Sequence, residues 1–225
     1  MSFSQQQLKE QVAKAAVDYI LPLLTPESIV GVGTGSTADL FIDELAKHKD
    51  KFKATVASSE RSTQRLAQHG ISVLNLNDVQ SMVVYVDGAD EINPLLQMIK
   101  GGGGALTREK IVASVAEQFV CIVDESKLVD QLGAFTLPIE VLPMALQSVS
   151  RKMVALGGVA KQREGFITDN GNPIIDVGGF SLADARELEG KINDIPGVVC
   201  CGFFALSPAT VALVSTQEGI KILTK

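Results

Sequence analysis

Acidic side chains, lysines and glycine-rich turns are the groups in this chain whose types and spacing could do chemistry. The segment Asp87-Gly88-Ala89-Asp90-Glu91 gathers three carboxylates directly after the apolar run Met82 to Val86. Crowded carboxylates repel one another, which favours proton exchange, and Gly88 lets the chain turn there. The same residues could instead form a polar loop whose aspartates cap turns, and acids without histidine would hold a divalent metal only unselectively. A second segment runs Lys100-Gly101-Gly102-Gly103-Gly104-Ala105-Leu106-Thr107-Arg108-Glu109-Lys110. Four consecutive glycines cost conformational entropy that a purely structural loop would not need, and they lead into a helix start that attracts anions. Glu109 falls in the first turns of that helix, where either dipole complementarity or catalysis accounts for a carboxylate. Lys100 alone reads equally as a solvated surface charge.

A third segment, Gly31-Val32-Gly33-Thr34-Gly35-Ser36-Thr37, lies between an apolar run and a helical pattern. Its glycines allow close backbone approach, and free N–H groups with the hydroxyls of Thr34, Ser36 and Thr37 can hold phosphate oxygens at a helix N-terminus. The plainer alternative is a tight turn with Ser36 or Thr37 as the cap. A dinucleotide fingerprint fits less well, because Ser36 stands where its third glycine belongs, and the lysine of a nucleoside-triphosphate loop is missing. Lys127, in Asp124-Glu125-Ser126-Lys127, closes a further apolar run and could add positive charge near an anion.

For these loops to cooperate, the elements must deliver them to one edge. Residues from about Gln6 to Leu21 form an amphipathic helix ending at Pro22. Then come a strand at Ser28 to Val32, a helix through Ala38 to Leu45, a strand at Ala54 to Ala57 and a helix around Thr63 to Gln68. Strands at Ile71 to Leu74 and Met82 to Val86, a helix at Leu106 to Glu117 and a strand at Phe119 to Val123 follow. Apolar strands alternating with helices predict an α/β fold with a doubly wound, mostly parallel, Rossmann-like sheet. Such sheets bind ligands beyond the carboxyl ends of their strands, where all four segments fall.

Further on, strands at Leu137 to Leu142, Val159 to Arg163, Ile174 to Val177 and Val198 to Phe203 alternate with helices at Ala145 to Leu156 and Leu182 to Ile192. That β-α-β-β-α-β order predicts a smaller ferredoxin-like α+β subdomain. A final strand at Thr210 to Ser215 and a short tail return to the main sheet. The expected division is 1–131 with 207–225 for the catalytic domain and 132–206 for the subdomain.

Composition narrows the classes. At 225 residues there is ample chain for a buried core. The net charge of −6 excludes broad nucleic-acid binding. No long uncharged apolar run marks a membrane span, and no secretion signal is visible. The three cysteines lack metal-ligand spacing, which fits reduced thiols in the cytoplasm. With only two histidines, chemistry must rest on carboxylates, lysines and backbone amides.

The segments GVGTGSTA (31–38), DGADEI (87–92), KGGGGALTREK (100–110) and TDNGNPIIDV (168–177) resemble the type A family of ribose-5-phosphate isomerases. SSERST (58–63), LPIEVLPMA (137–145) and IPGVV (195–199) extend the resemblance over nearly the whole chain. Two departures are local: Gly104 stands where Ala is also familiar, and Leu146 where Arg is expected. The resemblance implies that Thr34, Gly35, Ser36, Thr37, Asp87, Gly88, Ala89, Asp90, Lys100, Gly101, Gly102 and Gly103 bind substrate, that Lys127 contacts it and that Glu109 is catalytic. It implies a homodimer or homotetramer acting on a small sugar phosphate, without cofactor or metal.

Aldose–ketose isomerisation opens a furanose, moves a proton between C2 and C1, and stabilises an enediolate. Glu109 is expected to shuttle the carbon-bound proton, Asp87 and Asp90 to handle hydroxyl protons, and Lys100 to offset charge on oxygen. Two other readings stay open at this stage. A sugar-phosphate sensor would bind without turnover, and a transferase with a carboxylate nucleophile would form an acyl-enzyme at Glu109.

Overall fold

The computed structural model describes residues 2–180 and 184–224. In chain order it opens with α1 (Gln5–Ile20), β1 (Ile29–Val32), α2 (Ser36–Leu45), β2 (Ala54–Ala57), α3 (Glu60–Gln68) and β3 (Val84–Asp87). Next come β4 (Glu91–Ile92), β5 (Met98–Ile99), α4 (Leu106–Val115), β6 (Phe119–Asp124) and β7 (Leu137–Val141). Then follow α5 (Leu146–Ala155), β8 (Val159–Gln162), β9 (Ile174–Gly178), α6 (Ala185–Asn193), β10 (Val198–Cys201), β11 (Phe203–Phe204), β12 (Val211–Thr216) and β13 (Gly219–Thr224). Two compact units result, one from Met1–Gly88, Arg108–Leu128 and Ala209–Lys225, the other from Ala89–Thr107 and Val129–Pro208.

The first unit is built on a six-stranded sheet in the order β13-β12-β6-β3-β1-β2. All neighbours run parallel except the hairpin of β12 with β13. Its central strands are buried on both faces, as a parallel sheet between helix layers requires. Helix α1 starts at a capping box, in which Ser4 and Gln7 each satisfy the other's backbone N–H. Its apolar stripe of Leu8, Val12, Ala16 and Ile20 is buried. Val12, Ala16 and Ile20 pack in one cluster with Val30, Phe41, Ile42, Val84 and Ile122, each large side chain contributing about 1.5–3 kcal/mol. The strand order reverses between β1 and β3, since the chain goes outward from β1 to β2 and returns on the other side to β3. That reversal is the crevice where open α/β sheets hold ligands.

The second unit holds a four-stranded antiparallel sheet, β10-β7-β9-β8, with α5 and α6 supplied in ferredoxin-like order. Val149, Met153, Ile139, Ile175 and Ile192 make its core. A small sheet, β11-β5-β4, ties residues 89–107 into this unit.

Four sequence expectations change. The strand at Ile71 to Leu74 is a single bridge, Thr55 with Val73, because the Ile71 N–H is already bonded to Leu66 O at the end of α3. The helix read from Thr63 begins at Glu60, capped by Ser59. The strand read as Val198 to Phe203 splits at Gly202 into β10 and β11, which join different sheets. The short tail is β13, a full partner of β12. Leu182, the expected start of a helix, lies outside the described residues, and that helix is α6 from Ala185.

Candidate active site

In the first unit, β1 and β3 lie side by side with Gly31 opposite Tyr85 and Val32 opposite Val86. The ladder continues one residue further, Gly33 N–H donating to Val86 O at 2.9 Å. This brings the β1–α2 turn onto Asp87, which ends β3 and is fully buried. Asp87 Oδ1 accepts from the N–H of Thr34 at 3.0 Å and of Gly88 at 2.7 Å, and Oδ2 accepts from the Tyr85 hydroxyl at 2.5 Å. These donors hold a buried carboxylate that would otherwise be costly. Gly33 must be glycine for this arrangement, because a Cβ there would stand 1.9 Å from Asp87 Oδ1.

The turn is braced from the other side by the segment after β2. Ser62 Oγ donates to Gly33 O at 2.7 Å, Ser58 N–H to Val32 O at 3.0 Å, and Ser58 Oγ shares a 2.9 Å bond with Thr34 Oγ1. Helix α2 then begins with Gly35 at its N-cap, at φ 121°, and no side chain caps it. Its leading N–H groups are therefore open to an anion. Lys9 from α1 reaches the same turn, Nζ donating to Ser36 Oγ at 2.9 Å. Glu109 sits in the first turn of α4 and is buried, 4% exposed. Burial keeps the Tyr85 phenol protonated, far above the usual tyrosine range, and the charges of Asp87 and Glu109 push in the same direction. Lys127 occupies a short turn after β6, half-buried, and makes no hydrogen bond or ion pair with the other candidates among the described residues.

The second unit carries the other candidates. Asp90 N–H donates to Ile99 O at 2.9 Å, and Asp90 Oδ2 accepts from Gly102 N–H at 2.7 Å, so the carboxylate pins the glycine loop. A Cβ on Gly102 would lie 2.6 Å from Asp90 Oδ1. Lys100 is buried with Nζ 5.6 Å from the Phe204 ring centroid, a cation–π distance. Arg163 clamps the loop from behind: Nη1 donates to the carbonyls of Gly101 at 3.2 Å and Gly102 at 3.1 Å, while Asp176 takes its other N–H groups at 2.9 and 2.6 Å. Phe166 fills the space beside Gly104, where a Cβ would meet its ring at 2.1 Å and where φ is 82°. The buried Glu140 carboxylate collects the side chains of Thr107, Thr168, Asn170 and Asn172. The segment TDNGNP at 168–173 is thus a ring of donors around one acid.

Thr34 and Asp87 are brought into direct contact, as are Asp90 and Gly102. Sequence reasoning missed Lys9, Ser58, Ser62 and Tyr85 in the first unit, and Glu140 and Arg163 in the second. Tyr85 alone left a signal: on a strand, a hydroxyl two residues before Asp87 must share its face. Among the described residues, no group of three or more His, Cys, Asp or Glu side chains is arranged to hold a metal ion, and no helix is long and apolar enough to cross a membrane.

A doubly wound sheet with acid and glycine loops at the carboxyl ends of its strands defines an α/β enzyme of small anionic ligands. Comparison with known proteins makes this specific. The family model for ribose 5-phosphate isomerase A (phosphoriboisomerase A) matches residues 54–219. Ribose-5-phosphate isomerase A of Bordetella avium (strain 197N) is 64% identical over 222 residues, covering 99% of each chain. A crystal structure of ribose 5 phosphate isomerase A from Neisseria gonorrhoeae has a TM-score of 0.95 at 45% identity, covering 100% of this chain and 99% of that one. A D-ribose-5-phosphate isomerase solved in complex with phospho-erythronic acid has a TM-score of 0.93 at 35% identity, covering 99% and 100%. The chain belongs to the ribose 5-phosphate isomerase A family.

Proposed function

We propose that this protein interconverts D-ribose 5-phosphate and D-ribulose 5-phosphate through an enediolate. The observation that carries the reading is the 64% identity, over 99% of both chains, to an enzyme named for that substrate. The relative holding phospho-erythronic acid supports a small phosphorylated ligand.

In this reading Glu109 takes the proton from C2 and returns it to C1. Its burial supports the role, since a carboxylate kept from water is a better base. Asp90 exchanges hydroxyl protons during ring opening: it is half-buried, and its Oδ1 carries no hydrogen bond among the described residues. Asp87, with donors on both oxygens, acts as a fixed acceptor that orients a sugar hydroxyl. Lys100 offsets charge on the enediolate oxygen, the part a metal ion would otherwise play. The phosphate goes to the uncapped start of α2, where Gly35, Ser36 and Thr37 offer donors and Lys9 positive charge. Gly88, Ala89, Gly101, Gly102 and Gly103 line the sugar, and Lys127 adds charge. Because a proton moves between adjacent carbons with no net oxidation, no hydride carrier is consumed.

The test is to incubate EDTA-treated protein with ribose 5-phosphate in deuterated water. Ketose should form with deuterium at carbon, and Glu109→Gln should lower turnover at least ~10²-fold while still binding substrate. Near-normal turnover in that variant removes Glu109 from its role. A cytoplasmic location and a homodimer or homotetramer complete the proposal. Exposed Met144, Val154 and Val159 support the assembly, which light scattering would measure.

A further inference from the structure

Gly104 N–H donates to Gly101 O at 2.9 Å, which closes a four-residue turn in the glycine loop. Turns of this kind occur in two forms that differ by a half-rotation of the central peptide group, here that joining Gly102 to Gly103. One form needs a positive φ at the third residue, costly for most side chains and nearly free for glycine. With Gly103 in that place, backbone energetics alone would let Gly102 O and Gly103 N–H exchange directions.

Arg163 removes that freedom. Its side chain is 18% exposed, with Nε and Nη2 tied to Asp176 at 2.9 and 2.6 Å and Cζ 5.4 Å from the Phe166 ring centroid. From that anchor Nη1 donates to Gly101 O at 3.2 Å and to Gly102 O at 3.1 Å. No peptide bond among the described residues is cis, and in a planar trans peptide group C=O and N–H point to opposite edges. Gly101 O faces Arg163, so Gly102 N–H faces away, and there Asp90 Oδ2 accepts it at 2.7 Å. Gly102 O also faces Arg163, so Gly103 N–H leaves on the side turned from the guanidinium. It makes no hydrogen bond among the described residues.

We infer that Arg163 is a positioning residue: it locks the central peptide group of the turn so that Gly103 N–H is a fixed donor to the sugar oxygen that gains charge in the enediolate. The inference rests on the proposed reading that Gly101, Gly102 and Gly103 line the sugar. A donor set in advance needs no reorganisation as charge develops. The other form of the turn would aim the Gly102 carbonyl at the same charge and repel it.

Arg163→Ala should lower kcat for ribose 5-phosphate roughly 10- to 10²-fold, no more than outright loss of an oxyanion donor, because the turn still samples the productive form. KM should change by less than about threefold, since the donor acts on charge that the bound substrate does not yet carry. Millimolar guanidinium ion should raise the kcat of that variant several-fold without moving its urea midpoint, whereas tetramethylammonium, which donates no hydrogen bond, should not. Asp176→Asn, which reaches the loop through Arg163, should cost about threefold to tenfold, and added to Arg163→Ala it should cost nothing further. That variant keeps the test available should Arg163→Ala fold poorly. A folded Arg163→Ala with kcat within about threefold of wild type, guanidinium that raises only the urea midpoint, or losses that multiply in the double variant would overturn the inference and leave the isomerase reading intact. Wild-type protein that fails to convert ribose 5-phosphate would remove that reading, and the inference with it.

Discussion

Replacing Gly33 by alanine tests whether the β1–α2 turn and the Asp87 carboxylate are packed as one piece. A Cβ on Gly33 would stand 1.9 Å from both Cγ and Oδ1 of Asp87 and 2.4 Å from its Cβ, while ordinary contact begins near 3.4 Å. Taking 1.9 from 3.4 leaves about 1.5 Å that turn or carboxylate must give. The obstacle includes the root of the side chain on a central strand, so a rotamer change cannot relieve it. Moving the turn breaks the Thr34 N–H bond to Asp87, worth about 1.5–3 kcal/mol for a charged acceptor, and crowding adds about 1–3 kcal/mol. A total near 3–5 kcal/mol is expected in urea unfolding. Displacing a catalytic acceptor by more than about 1 Å should lower kcat/KM about 10²-fold or more. An unfolding midpoint at the wild-type value together with kcat/KM within threefold would show that the turn is not fitted to Asp87, and the geometric argument would fail.

Glu140→Gln should destabilise the protein by about 2–4 kcal/mol, because an amide nitrogen would face donors that now converge on a buried carboxylate; thermal unfolding of the two forms measures it. Asp43 gives a pH signature. Burial alone would raise its pKa, but hydrogen bonds from Arg65 and His69 outweigh this and hold it below the usual carboxylate range. A lowered folded value means stability present above the unfolded pKa of about 3.9 and lost as pH falls through the folded one. Asp43→Asn should therefore cost about 0.5–1 kcal/mol at pH 7, screening included since both ion-pair partners are over a third exposed, and the gap should close in titrations below about pH 4.

The alternation of buried strands with helices was legible because each central strand is an unbroken apolar run. What stayed hidden depended on partners distant in sequence. Gly202 looked like one residue inside a strand, yet a Cβ there would stand 2.3 Å from the carbonyl oxygen of Lys100. That close approach is what ends β10 and passes the chain to β11 in another sheet. β13 escaped notice because an edge strand with exposed Lys221 and Ile222 lacks an apolar run. Among site residues, the acids and glycines stood out by type and position. Tyr85 read as core because it is core, and only its register with Gly31 and its reach to Asp87 show the second role. Arg163 and Glu140 were unreadable in principle, since their meaning lies in loops from Gly101 and Thr168 that only the fold brings to them.

The glycine-rich loops admitted two interpretations from sequence, turn-making and anion-binding, and the packing supplies a third that constrains both. Gly33 and Gly102 lie where an aspartate presses on the backbone, and in each unit that aspartate accepts from a loop N–H: Asp87 from Thr34, Asp90 from Gly102. A side chain at either glycine would push the acid away from the loop. The carboxylate therefore orders the loop as much as the loop presents the carboxylate, and neither can be tuned alone. Neutralising either aspartate should then loosen its glycine loop as well as remove an acceptor, so the loss in turnover of such a variant measures both effects together. Hydrogen exchange at the Gly33 and Gly104 amides separates them, because those N–H groups bond to Val86 O and Gly101 O, not to the aspartates, and lose that protection only when the loop is released.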